Sequence, residues 1–325
     1  MADAGRSPVI SLLGIDPGAY IAHALHSPER AFPETNCYTD IWIELLHAQG
    51  LDPMAMLAFC TVVDFEGDQW TFFKPPPADL ERLYGLEVQE FVIYRSLTDH
   101  VAEQLRLHRS VIVEVDGFHL PDTAGRSYGV AHEKTSIAIE AIDIEGKRLR
   151  YFHGLGYHEL AGDDFDGALR VGPLPGNNLP PYIEFVRTDR SIPCPEDQLR
   201  DVAAELLTEH IARRPATNPV ERFGHRLVAD LPLLQKNGGE TYHLYAFATV
   251  RQCGAAWETA ATFVRWLEPR RYADAADAFD ALHADAKTLL FRLARCAASG
   301  RPYDPEALLA TMAVSWDTAL DALAA

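Results

Sequence analysis

The chain has 325 residues, 48% of them hydrophobic, and its 47 acidic against 29 basic side chains give a net charge of −18. That length supports one large domain or two intimate ones. The acidity argues against nucleic acid or an anionic membrane as the main partner, because both demand a basic surface.

No run of about 18 apolar residues is present, and Met1-Ala2-Asp3-Ala4-Gly5-Arg6 lacks the basic-then-apolar order of a signal peptide. A soluble cytoplasmic protein is expected. The cysteines at 37, 60, 194, 253 and 296 are scattered and contain no C-x-x-C pair, so neither zinc nor a disulfide framework is indicated. An acidic partner would need a local basic patch, for which Arg213-Arg214 and Arg270-Arg271 are the candidates.

Residues 1–33 read as an irregular lead-in with a turn at Asp16-Pro17-Gly18. The first helix runs from about Cys37 to His47, with Ile41 and Leu45 on its inner face and Gly50 closing it. A helix-like apolar stretch to Val63 and an aromatic segment (Trp70, Phe72, Phe73) follow, and the prolines at 75–77 precede a short helix near 78–84. Another helix is expected over 96–108, capped by Ser96 with Asp99 three positions on.

The period then changes. Val111–Val115 is β-branched and short, hence a strand, and 116–123 is a turn-rich loop. Residues 135–143, a turn at Glu145-Gly146-Lys147, and 149–153 read as a β-hairpin, with a fourth strand over 183–187. After the Pro-rich segment 173–181 the pattern is helical, with helices near 196–213, 219–235, 241–267, 272–297 and 304–323. Asn218-Pro219 opens one of them as cap and first-turn proline. The fold class is α+β: an N-terminal helix and a small antiparallel sheet over 1–190, then a helical bundle over 191–325.

Cys37 stands where a polar loop becomes a helix, and a thiol in a first helical turn meets unpaired N–H groups and the positive dipole end, which favour thiolate. The competing reading is a half-buried structural cysteine. His132 lies just before one strand and His153 ends the next, so the hairpin can bring His132, Thr135 and His153 together. A nucleophilic thiol needs such a base, and the base needs an orienting partner. This is the order of parts in a papain-like cysteine enzyme. The base is either His132 or His153, with His132 favoured; Asp116 either orients a histidine, binds a substrate ammonium, or merely caps its strand.

Two other groupings carry less. His153, His158, Glu159, Asp163 and Asp164 fit no regular metal-ligand spacing, and the glycines at 154, 156 and 162 make that segment look like a loop, so no metal is expected. His243, Phe247, Arg251, Gly254 and Glu258 share one helix face, which either lines a pocket or forms a salt-bridged seam. Gly254 in a helix interior points to close approach by another group. P-loop, dinucleotide, zincin, G-x-S-x-G and kinase signatures are absent.

The segments 132–140, 151–160 with Asp163-Asp164-Phe165, and 242–256 together resemble, over nearly the whole chain, a bacterial family of unknown function. That resemblance implies encoding beside ligases that load amino acids onto carrier proteins. More remotely, the Asn36-Cys37 helix start and Val115-Asp116-x-Phe118-x-Leu120-Pro121 are similar to the N-terminal domain of the butirosin-biosynthesis acyltransferase family. The likeness implies a papain-like enzyme that moves an aminoacyl group from a carrier-protein thioester to an amine.

On that resemblance Cys37 is the acyl-accepting nucleophile, His132 the base and Asp116 a residue of the shared loop. The sequence departs from the pattern at Thr135, where such enzymes place His, and at His153, where they place an acidic residue or Asn, so the identity of the base stays open. Asn36, Thr135, His243 and Arg251 are candidate substrate-binding residues. No cofactor is expected beyond the phosphopantetheine arm of an acyl or peptidyl carrier protein, with a small-molecule amine as acceptor. The competing expectations are a cysteine peptidase or amidase, and a non-catalytic scaffold that binds carrier protein.

Overall fold

A computed structural model describes residues 9–172, 179–187 and 195–325. In chain order the elements are β1 (Ile10–Ser11), α1 (Cys37–Ala48), α2 (Pro77–Tyr84), β2 (Glu87–Glu90), α3 (Leu97–Arg106), β3 (Arg109–Asp116), β4 (Lys134–Asp143), β5 (Arg148–His153), β6 (Gly156–Ala161), α4 (Asp163–Ala168), β7 (Ile183–Arg187), α5 (Glu196–Ala212), α6 (Pro219–Asn237), α7 (Gly239–Ala246), α8 (Gln252–Leu267), α9 (Ala273–Ser299) and α10 (Glu306–Ala324). The class is α+β, with ten α-helices and an open antiparallel sheet of seven strands among the described residues. The chain divides into two compact units: one of Met1–Ala24, Cys37–Pro53 and Leu80–Pro193, the other of Leu25–Asn36, Met54–Asp79 and Cys194–Ala325.

In the first unit the sheet order is β2-β7-β3-β4-β5-β6, and β1 pairs with the far end of β4. Strand β4 is buried from Thr135 to Ile142, which requires cover on both faces. Odd-numbered residues Val111, Val113, Ile137, Ile139 and Tyr151 pack with Leu97, Val101 and Leu105 of α3 and with Phe165 of α4. The other face carries Glu184, Ile112, Ala138, Phe152 and Tyr157, which the registers place in one row. Helix α1 lies over this second face. Its Tyr38 hydroxyl donates to Glu184 (2.7 Å), and its Glu44 accepts from the Tyr20 hydroxyl (2.5 Å). The Tyr20 ring meets Phe152 and Tyr157 edge-on, with centroids 5.7 and 5.6 Å away.

The predicted first helix and hairpin form as α1 and β4–β5. Several elements depart from expectation. Residues 156–161 are strand β6 rather than loop, because Gly154 (φ 51°) and Gly162 (φ 65°) are turn residues on either side of it. Strand β2 and helix α4 went unread, and Pro53–Val62 is a run of 3-10 turns rather than an α-helix.

In the second unit α8 packs on α9, α9 on α10, and α10 on α6. The stretch 54–79 joins them through an aromatic cluster in which Trp70 contacts Trp257 (5.2 Å) and Phe223 (5.8 Å). The helix expected over 241–267 is broken into α7 and α8 by one π-turn at Phe247–Arg251. Helix α10 alone, among the described residues, is long and apolar enough by composition to cross a membrane; its Met312, Trp316 and Leu320 are buried against the bundle. Cys194 and most of the Pro-rich segment lie outside the described residues.

Candidate active site

The loop between β3 and β4 contributes one member to each of two histidine–aspartate pairs: His132 with Asp116 of β3, and Asp122 with His153 of β5. At its mouth Asp116, the last residue of β3, accepts the backbone N–H groups of Phe118 (3.0 Å) and Glu133 (3.2 Å) through Oδ1. Its Oδ2 lies 2.6 Å from His132 Nδ1. The Gly117 N–H donates to the Glu133 carbonyl (2.7 Å) and closes the neck of the loop. A β-carbon at Gly117 would come within 2.9 Å of Ser127 Oγ and 3.3 Å of that same carbonyl, so a larger residue here would force Ser127 or the neck to shift.

The His132 ring stacks on Phe118 with centroids 4.7 Å apart and planes 17° apart, and its side chain is 76% exposed. Burial pushes the Asp116 carboxyl up, but the hydrogen bonds from His132, Phe118 and Glu133 outweigh it and hold the group below the usual carboxylate range. In the neutral ring, an ionised Asp116 takes the proton on Nδ1, which leaves Nε2 as the acceptor.

The second pair is buried. His153 Nδ1 lies 2.5 Å from Asp122 Oδ2, and the Tyr151 hydroxyl donates to Asp122 Oδ1 (2.5 Å). With Nδ1–H given to Asp122, His153 Nε2 accepts from the Thr135 hydroxyl (2.9 Å). Burial raises the Asp122 carboxyl, yet the hydrogen bond and charge of His153, with His158 nearby, hold it below the ordinary range. Burial and the adjacent Asp122 charge push the Tyr151 phenol far up. His158 Nε2 bonds the His153 carbonyl (3.1 Å).

Cys37 is the first residue of α1 and is half-buried, whereas Cys60, Cys253 and Cys296 are buried. Burial raises the Cys60 and Cys253 thiols, which leaves Cys37 as the accessible thiol among the described residues. No hydrogen bond joins its sulfur to an imidazole among the described residues. Strand alternation explains why His153 is not its neighbour. His153 shares the Tyr151 side, under α3 and α4, whereas α1 covers the Phe152 side. Asp116 shares the parity of Ile112 and so belongs to the α1 side.

Of the predicted residues, then, the fold unites Thr135 with His153 and Asp116 with His132. Asn36, in the second unit, is buried, and its Nδ2 donates to the Phe73 carbonyl (2.9 Å). His243 is exposed beside Tyr242 (5.5 Å), and Arg251 pairs with Glu34 (3.7 Å). On the same face Glu258 accepts the N–H groups of Ala31 and Phe32 (2.8 Å each) and lies 3.7 Å from Arg30, so this part of the stripe is a seam. The arginine pairs serve local contacts: Arg214 with Asp321 (3.7 Å), Arg213 with the Glu209 carbonyl (3.2 Å), and Arg271 over Tyr272 (5.1 Å). Asp122 was not foreseen; the only signal was its place after Pro121, which starts a tight turn.

The N-terminal domain model of DUF1839 matches residues 21–188, and the C-terminal domain model matches residues 196–325. The chain belongs to the DUF1839 family. DUF1839 is a family of unknown function, and the two matched regions take in nearly all of the described residues. Among curated proteins no sequence matches the chain. The His132–Asp116 and His153–Asp122 pairs both fall within the DUF1839 N-terminal domain, as does Cys37.

Proposed function

We propose that this chain is a papain-like, cysteine-dependent acyltransferase that moves an aminoacyl group from a carrier-protein thioester to an amine. One observation carries the reading: His132, its side chain 76% exposed, is held at 2.6 Å by Asp116, which lies on the sheet side covered by the helix that Cys37 begins. An oriented imidazole with a free acceptor nitrogen is what a thiol nucleophile needs, and catalytic hydrogen bonds commonly close only once substrate is bound.

In this mechanism His132 Nε2 takes the Cys37 proton, and the thiolate attacks the thioester carbonyl. The carbon–sulfur bond to the phosphopantetheine arm breaks, and the departing thiolate recovers the proton from His132. The acceptor amine then attacks the acyl-Cys37 carbonyl and passes its proton to His132. An amide forms and the Cys37 thiolate is released. The N–H groups at the start of α1 are the candidate donors to the oxyanion. Exchange of one thioester for another is close to neutral energetically, so no nucleotide is consumed.

A second reading is favoured by the missing thiol–imidazole hydrogen bond: a scaffold that binds carrier protein without covalent chemistry. Intact-mass spectrometry after mixing the protein with aminoacylated carrier protein separates the two. An adduct that maps to Cys37 and is discharged by added amine is the expected result. Discharge by water alone makes the protein a hydrolase. Absence of any adduct, with carrier protein still bound, leaves the scaffold.

A further inference from the structure

Thr135, His153 and Asp122 stand in the order of nucleophile, base and orienter, and the sealed state of the trio decides what it does. Thr135 and His153 are 7% and 4% exposed, and both ring nitrogens of His153 are engaged inside the core. A carbonyl substrate has no approach to such a hydroxyl. What the trio does hold is the loop. Asp122 sits near the apex of the loop, and its side chain ties that apex to two residues of β5, His153 and Tyr151.

The same loop carries the clamp on His132. From Asp116 the chain makes one short turn to His119, buries Leu120, and turns again at Pro121–Thr123. The Thr123 hydroxyl donates to the Gly117 carbonyl (3.0 Å), and the Gly129 N–H donates to the Phe118 carbonyl (2.9 Å). Movement of Asp122 is therefore carried, through Thr123 and Gly117, to the two residues that grip His132. We infer that Asp122 is a positioning residue for His132: by binding His153 and Tyr151 it fixes the loop so that Asp116 and Phe118 hold the His132 ring in one orientation and one tautomer. The inference rests on the proposed acyl transfer only for its catalytic consequence.

The test is long-range proton–nitrogen NMR of the His132 ring in the wild-type protein and in Asp122→Asn. Wild type should show the Nδ1–H tautomer and a ring-current shift from Phe118. The variant should show a mixture weighted toward Nε2–H, the form a free imidazole prefers, with the ring-current shift reduced. Val101→Ala, a destabilising change in the same core, should leave both signatures intact. If Asp122→Asn fails to fold, Tyr151→Phe removes one of the hydrogen bonds to Asp122 and should give a smaller shift in the same direction. Unchanged His132 signals in the variant, alongside their loss in Asp116→Asn, would overturn the inference. Turnover supplies a separate readout: kcat should fall by about tenfold to a hundredfold with KM little changed. A wild-type protein that never acylates Cys37 defeats the proposed reaction, while the NMR signatures still decide the role of Asp122.

Discussion

The ring of Phe32 occupies the space that a β-carbon on Gly254 would need: such an atom would lie 2.5 Å from Phe32 Cζ and 3.1 Å from Ala286 Cβ. Helix propensity favours alanine over glycine by about 1 kcal/mol, while overpacking a filled core costs about 1–3 kcal/mol. Phe32 is 4% exposed and has Lys287 Nζ 5.0 Å from its ring, so it has little room to yield. Gly254→Ala should therefore lower stability by a net ~1 kcal/mol in urea titrations. Adding Phe32→Leu should recover part of that loss, and a double-mutant cycle without coupling would contradict the packing account.

Glu258 anchors the same segment from the other side. Its carboxylate takes the N–H groups of Ala31 and Phe32, and Arg30 stands 3.7 Å away in a setting where burial lowers the guanidinium pKa. Glu258→Ala leaves two donors and a cation without their acceptor, for an expected cost of about 3–5 kcal/mol. Glu258→Gln keeps the shape and one acceptor and should cost less. Equal losses from the two substitutions would show that packing, rather than the carboxylate, holds the 30–34 segment.

These contacts mark where the sequence was legible. Helix α1 and the β4–β5 hairpin could be read because their periodicity and turn residues are local. The face of His243, Arg251, Gly254 and Glu258 could be recognised, but not what covers part of it, since residues 30–34 lie more than 200 positions away. The His132–Asp116 pair was within reach because both residues border one loop. Asp122 was not, because its pairing with His153 spans 31 positions and depends on how the loop folds over β5. Alternation along β5 sets His153 apart from Phe152, yet which side α1 covers emerges only from contacts such as Tyr38 with Glu184.

Acid stability should report on Asp122. Its folded pKa lies below the unfolded value, so its contribution is complete above the unfolded pKa and is lost as pH falls through the folded one. The window lies below about pH 3.9, the ordinary aspartate value. Denaturant midpoints measured on either side of that value should drop more for wild type than for Asp122→Asn, which has no carboxyl to protonate. Parallel curves for the two proteins would mean that the buried hydrogen bonds do not hold Asp122 ionised in solution.

The exposed pair makes the sharpest kinetic claim. If His132 carries the proton, His132→Ala should slow Cys37 acylation by about 10²–10⁴-fold, and Cys37→Ala should abolish the adduct. Asp116→Asn keeps an imidazole in place but replaces an ionised acceptor with a neutral amide, so the proton on Nδ1 is no longer enforced. Its loss should be smaller than that of His132→Ala and should not add to it, because the two residues act as one unit. Phe118→Leu removes the ring that His132 stacks on and should raise the acylation barrier without touching the hydrogen bond. Stopped-flow acylation of the four variants by an aminoacyl thioester checks the ranking. An Asp116→Asn loss that adds fully to that of His132→Ala would show that Asp116 serves the loop and not the imidazole.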